Sequence, residues 1–353
     1  MQCLLVWPYA SCIMLHDRAG DTPRCDSCLN GYTVDDSDAV RSARFCSRRC
    51  EVTWSECNHQ PALTIRGEIL RTAVVEGENF TFPVNPLSAL EEVDRRVDVF
   101  TFLQNPMQSS PVEYGYHEEA ENLAILPIVS FDAWFRGIES KVRNRVRKAE
   151  KEGVEVREIP FDDQLVAGIC DIYNETPIRQ GKRFPHYGIT MDRARAYART
   201  FPTRSVFVGA FHEGRLIGFL KMVTDFSGRY ACILHILSKM AHRDLAPTNA
   251  LMAQAVRSCA ERGISQLAYD HYCYGNKRMD GLIEFKKNNG FQRVDLKRYY
   301  VPRTPMGQLY LELGLHRGLA DLAPEPILRG LRRVRSGWWH MLSPESGRRV
   351  VHP

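Results

Sequence analysis

The chain has 353 residues, 44% hydrophobic and 25% charged, with a net charge of +5. That composition belongs to a globular protein of about two folding units and excludes a fibrous or low-complexity chain. Eleven cysteines, an odd number, argue against a disulfide-stapled secreted domain and for a reducing compartment, here expected to be cytoplasmic.

The charge excess suits an anionic partner but is too small to argue for nucleic acid by itself. No apolar run reaches the roughly 18 residues that a membrane span needs. The opening MQCLLVWPYASCIML lacks the basic start of a secretory signal, so residues 1–22 read as a tail.

Residues 23–60 hold Cys25-x2-Cys28 and Cys46-x3-Cys50. Two short cysteine loops supply the four thiolates of a tetrahedral zinc ion. Arg44, Arg48 and Arg49 would offset their charge, and Cys57 and His59 are spare ligands. The run Phe45-Cys-Ser-Arg-Arg-Cys50 resembles the second half of a treble-clef-like module. Cys25, Cys28, Cys46 and Cys50 are therefore expected to hold a structural zinc, against the alternative of four unrelated thiols.

Residues 61–130 read as an N-terminal extension, with a charged helix at Ala89–Asp98 and strands at Val97–Leu103 and Asn122–Val129. One amphipathic helix is expected from Ser130 to Gly153. Trp134, Ile138, Val142 and Val146 form its apolar stripe, and Lys141, Arg143, Arg145, Arg147, Lys148 and Lys151 form a basic face. From Val154 the pattern changes to strand 154–159, helix 163–173, a polar loop 174–188 and a helix near 191–200. A hairpin follows, with strands 205–211 and 215–223 about His212-Glu213-Gly214. Next come strand 230–237, a helix from Thr248 as N-cap to Gly263, strand 266–272, helix 280–289 and strand 292–301. The tail from about Thr304 is basic and broken by Pro324 and Pro326, a candidate for peripheral membrane contact.

This order of elements resembles the GNAT acetyltransferase superfamily. Arg215-Leu-Ile-Gly-Phe-Leu is similar to the strand after the hairpin turn in that family. Leu282-Ile-Glu-Phe-Lys-Lys-Asn-Asn-Gly-Phe291 and the basic helix before Val154 resemble its Fem-type branch. The resemblance covers about residues 130–303. It implies an α+β fold, a GNAT-like mixed sheet flanked by helices over residues 131–303, between the zinc module and the helical tail. It also implies an acyltransferase that moves an acyl group from acyl-CoA, acetyl-CoA first, to an amine or hydroxyl of a small-molecule or peptide acceptor.

In such a fold the donor pyrophosphate meets a helix N-terminus after a splayed strand. His242, Arg243, Thr248 and Asn249 are the donor-binding candidates here. The usual glycine pattern of that loop is missing, and Pro247 has no N–H. That departure keeps open a Fem-like transfer from aminoacyl-tRNA, and a non-catalytic binding module.

Transfer needs a proton acceptor and an oxyanion stabiliser. The loop 174–188 is dense in such groups. His186 is the first choice as base, because its ordinary pKa lies near neutrality. Glu175 and Tyr272 are further proton carriers. Arg179, Lys182, Arg183, Tyr187 and Asp270 are candidates for holding an anionic acceptor. The loop and the strand end at Asp270–Tyr274 are expected to converge on one cleft. His235, inside an apolar strand, reads as a core residue.

Overall fold

In the computed structural model, residues 62–317 are described, apart from 68, 84, 87, 89–96, 109–111, 180 and 274–280. The cysteine module with Cys25, Cys28, Cys46 and Cys50, most of the helix expected at Ala89–Asp98, Tyr274, and the tail beyond residue 317 lie outside the described residues. Among the described residues no helix is long and apolar enough to cross a membrane. The described chain forms two compact units, interleaved in sequence: residues 77–83 with 120–296, and residues 62–76 and 84–119 with 297–317.

The first unit is a mixed sheet in the order β4-β11-β10-β9-β8-β5. Its strands are β4 (His117–Pro127, from Ala120 onwards), β5 (Glu155–Ile159), β8 (Ser205–His212), β9 (Arg215–Thr224), β10 (Tyr230–Ser238) and β11 (Gln266–Ala268). Side chains alternate across a strand, so the sheet sorts its apolar residues to two faces. Ala124, Leu126, Val208, Leu220, Met222, Ala231, Ile233 and Leu267 face one way. That face is covered by α1 (Phe131–Gly137), α2 (Ser140–Lys151), α5 (Pro247–Glu261) and α6 (Gly281–Asn288). Phe207, Phe219 and Leu237 face the other way, under α3 (Asp163–Asn174) and α4 (Met191–Arg199). The loop 174–188 contributes Phe184 to this second cluster and contains a two-stranded ribbon, β6 (Ile178–Arg179) with β7 (Lys182–Arg183).

The helix expected at 130–153 is two helices. Ser130 caps the first, its side chain accepting from the Ala133 N–H (3.1 Å). After Gly137 the backbone of Ile138 is extended (ψ 162), and the Glu139 N–H turns to the Asn288 carbonyl instead of continuing the helix. The Arg143 guanidinium donates to the carbonyls of Arg136 and Ile138 freed by the break. The N-terminus of α5 also differs from expectation. Ala246 lies in the left-handed region (φ 54) as N-cap, and Pro247 takes the first helical position, where a missing N–H costs nothing. Thr248 does not cap the helix: its hydroxyl pairs with Ser238 Oγ (2.8 Å).

The second unit is a sheet in the order β1-β2-β3-β12. Its strands are β1 (Leu63–Arg66), β2 (Thr72–Val75), β3 (Val99–Leu103) and β12 (Gln292–Pro302, from Lys297 onwards). Its core is Ala73, Val75, Val97, Phe100, Phe102, Tyr299 and Val301. Helix α7 (Pro305–Glu312) follows β12, capped by the Thr304 hydroxyl, which accepts from the Gly307 N–H (3.1 Å) and donates to Asp98 Oδ1 (2.6 Å). A Cβ on Gly307 would stand 2.0 Å from the Asp98 carbonyl oxygen, so only glycine lets α7 approach this closely.

Candidate active site

β10 and β11 run parallel, joined by α5, and their pairing is brief: Tyr230 with Gln266, Ala231 with Leu267, Cys232 with Ala268. Beyond Ala268 the chain stays with β4, through Tyr269 N–H to Ala124 O and Ala124 N–H to Asp270 O (both 2.8 Å). β10 stays with β9 as far as Ser238, after a bulge between Ile233 and His235. The two strands therefore splay, and among the described residues β10 has no strand partner from Ile233 on its β11 side. The bulge adds one residue and turns the strand locally. A splay of this kind leaves backbone groups for an extended ligand.

At the fork, Asp270 takes a left-handed conformation (φ 50) and is 5% exposed. Aspartate enters this region more readily than most residues, because its short side chain can hydrogen-bond the local backbone. Its carboxylate accepts from Asn79 (3.1 Å) and from the His271 backbone N–H (2.8 Å), and contacts His271 Nδ1 (2.6 Å). His271 Nε2 lies 3.1 Å from Glu121 Oε1. Burial favours the neutral ring, but the hydrogen bonds and charges of Asp270 and Glu121 outweigh it and push the pKa up to about 10. His271 is thus an imidazolium held between two carboxylates at neutral pH.

Lys286 completes the fork. Its side chain is fully buried, its ammonium donates to the His271 carbonyl and stands 4.8 Å from the Tyr269 ring centroid. Its charge is felt by Cys232 on β10. The Cys232 thiol is nevertheless pushed up to about 12 by burial and by Asp270, so it is neutral and unsuited to be a nucleophile. Lys286 was not foreseen as a site residue, although Leu282, Phe285, Lys286 and Asn289 share one helical stripe with two polar members.

Glu175 lies where the chain leaves β10. Its Oε2 accepts the Met240 N–H (2.7 Å) and its Oε1 the Ala241 N–H (2.9 Å). The Arg179 guanidinium also reaches Oε2 (3.1 Å). Arg179 is 2% exposed and donates to the carbonyls of Ser238 (2.8 Å) and Ile172 (2.7 Å), with Phe184 beneath it. Both residues were expected to face a substrate. They instead brace the turn that follows β10, because two backbone amides and a buried guanidinium need charged partners there.

The same turn contains the donor-binding candidates. Arg243 is exposed, and His242 is half-buried, its Nδ1 without a hydrogen-bond partner among the described residues. Asn249 is buried, and its N–H, like that of Ala250, returns to the Ala246 carbonyl (3.1 and 3.4 Å). With Pro247 lacking an N–H, the start of α5 offers little to a pyrophosphate.

His186 and Tyr272 do not meet. The His186 ring stacks on Tyr173 (5.1 Å) and touches Phe184 and Tyr197, under the α3–α4 face. Tyr272 packs against the apolar cluster on the opposite face. Burial, and then the Arg193 charge, lower the His186 pKa, so it is neutral at neutral pH. Burial, with the Lys221 and His186 charges, pushes His235 down to about 3, in keeping with a neutral ring inside the sheet. Arg183 and Tyr187 are exposed on the ribbon loop; the Lys182 side chain lies outside the described residues.

No family profile matches this chain, and no curated protein matches it in sequence. Solved structures do resemble it. FemX is similar with a TM-score of 0.52 at 12% identity, covering 70% of this chain and 86% of that one. A C-terminal domain of a putative lysylphosphatidylglycerol synthetase from Agrobacterium fabrum gives 0.45 at 13% identity, over 72% and 88%. L-PGS from Bacillus licheniformis gives 0.44 at 14%, over 72% and 83%. The likeness to FemX establishes the fold, a Fem-like mixed α+β arrangement.

Proposed function

We propose that this protein is an acyl-transfer enzyme whose donor is an aminoacyl-tRNA rather than acyl-CoA. The observation that carries the transfer reading is the splayed β10–β11 pair with the Lys286 ammonium buried at its fork. An ester carbonyl laid along the open edge of β10 would place its oxygen toward that ammonium. When an amine or hydroxyl attacks, the carbonyl oxygen gains negative charge, and a fixed buried cation stabilises it more than water would. The ester C–O bond then breaks, the alcohol of the donor leaves with a proton, and the acyl group stays on the acceptor.

The donor reading is supported by Glu175. An acyl-CoA pyrophosphate would seek the free amides of the turn after β10 and the start of α5. Here a carboxylate already fills the Met240 and Ala241 amides. Helix α2 supplies what a polyanion needs: Lys141, Arg145, Arg147, Lys148 and Lys151 are exposed along it. Arg243 with His242, at the turn before α5, would touch the donor's acceptor stem.

The test is a transfer assay. Purified protein is incubated with tRNA charged with labelled amino acids, or with labelled acetyl-CoA, in the presence of a cell extract of small metabolites and peptides. Label moving from tRNA, but not from acetyl-CoA, into an acid-stable product is the expected result. Transfer from acetyl-CoA alone would refute the donor assignment.

A further inference from the structure

The second unit holds a cluster that the transfer chemistry does not use. His117 and Glu119 are two residues apart at the start of β4 and so project to the same side of the strand. His316 arrives from the 3-10 turn Leu315–Arg317 that follows α7. His316 Nε2 lies 3.0 Å from His117 Nε2 and 2.9 Å from Glu119 Oε1, and His117 Nε2 lies 3.4 Å from the same oxygen. The His316 side chain is 2% exposed. The two rings meet edge to face, and the Tyr300 ring packs against both, at 4.9 Å from His316 and 6.0 Å from His117.

Hydrogen bonding accounts for at most two sides of this triangle. A neutral imidazole brings one Nε2–H or one Nε2 lone pair to the cluster, and an ionised carboxylate brings only lone pairs. Two protons at most serve three contacts, so one close contact is always between two acceptors or two donors. One cation accepting from all three atoms satisfies every contact. The edges, 2.9 to 3.4 Å, approach the edge of about 3.4 Å that a tetrahedron with metal–ligand bonds of about 2.0–2.2 Å has.

We propose that His117, Glu119 and His316 bind a first-row divalent cation, zinc by ligand type, with the fourth position open to water. Both histidines line a cavity of about 430 Å³, together with Tyr116, Gln308, Glu312 and Arg317, so the fourth position has room for a ligand. Three protein ligands and one open position are the pattern of reactive zinc sites, whereas structural sites close all four. Arg317 also reaches Glu119 Oε1 (2.8 Å). It competes with the metal for that oxygen, but its side chain is 55% exposed and free to leave. Among the described residues His316 Nδ1 has no hydrogen-bond partner. A ligand histidine without an outer partner holds metal about 10–100-fold more weakly, so the site binds more loosely than one with a complete outer shell.

The experiment titrates Zn2+ into the chelator-stripped full chain by calorimetry and reads the ligands by X-ray absorption at the zinc edge. The second measurement separates nitrogen- and oxygen-bound zinc from any thiolate-bound zinc of residues 23–60. One equivalent of nitrogen- and oxygen-bound zinc is expected, with affinity at least 100-fold weaker in His316→Ala. Since His316→Ala removes a buried ring, His117→Cys is the companion variant: it should keep the equivalent and add one sulfur neighbour. A parent without that zinc, unchanged affinity in His316→Ala, or no added sulfur in His117→Cys overturns the proposal.

Discussion

Glu175 shows what a half-buried carboxylate does when it is committed to backbone amides. It accepts from Met240 and Ala241 and pairs with Arg179, which is itself buried. Removing it leaves two amides and a guanidinium without their anion, a loss of about 3 kcal/mol. Glu175→Ala should therefore lower the melting temperature by about 6–12 °C in a thermal scan. A catalytic base would behave differently, with activity lost and stability kept. Lys286 is the opposite case. Lys286→Met keeps the volume and the apolar contacts of the stem but leaves the His271 carbonyl without its donor, a loss of about 1–3 kcal/mol that should leave the fold intact. If the ammonium stabilises the oxyanion, the transfer rate should fall by about 100-fold or more with little change in KM. Normal turnover in Lys286→Met would remove it from the mechanism.

The two residues also mark where sequence reading stops. A lysine between Phe285 and Lys287 is written like any solvent-facing lysine. Its burial follows from sharing the face of Leu282 and Phe285, which only the helix phase reveals. Glu175 and Arg179 looked like loop charges because their carbonyl and amide partners lie on other elements. His186 reads in the sequence as the first choice of base, but its burial under α3 and α4 and its separation from Tyr272 are not legible there. Alternation places residues on faces only once strand order and bulges are known.

At the scale of elements, the strand and helix order from Val154 was legible, because alternation and capping signals are local. The break at Ile138 was not. It depends on the Asn288 carbonyl, far away in sequence, offering a better partner to Glu139 than the helix does. The strand expected at 266–272 ends at Ala268 because the chain turns at Asp270, and that turn makes the fork. The fork has a pH signature. His271 titrates at about 10 when folded, against about 6.5 when unfolded. Its stabilisation is complete below about pH 6.5 and is lost as pH rises toward about 10. Stability measured by urea unfolding should fall across that window, and His271→Gln should flatten the fall. An unchanged slope in the variant would show that the imidazolium is not part of the fork.

At the scale of the molecule, the +5 charge is less informative than its placement on α2. Replacing Arg145, Arg147 and Lys148 together by alanine should weaken tRNA binding at least tenfold at low salt and flatten its salt dependence. The α2 fold should be kept, since Val142 and Ala149 carry its buried face. Equal binding by the triple variant would move the tRNA contact elsewhere.

The central claim, that the turn after β10 rejects a CoA pyrophosphate and the molecule takes a charged tRNA instead, is tested most directly by heat stability of the full chain with each donor. A ligand at 100 times its Kd adds about 2.7 kcal/mol, a shift of several degrees. That shift is expected with aminoacyl-tRNA, and none with acetyl-CoA or longer acyl-CoAs. A clear shift with an acyl-CoA, and none with aminoacyl-tRNA, would contradict it.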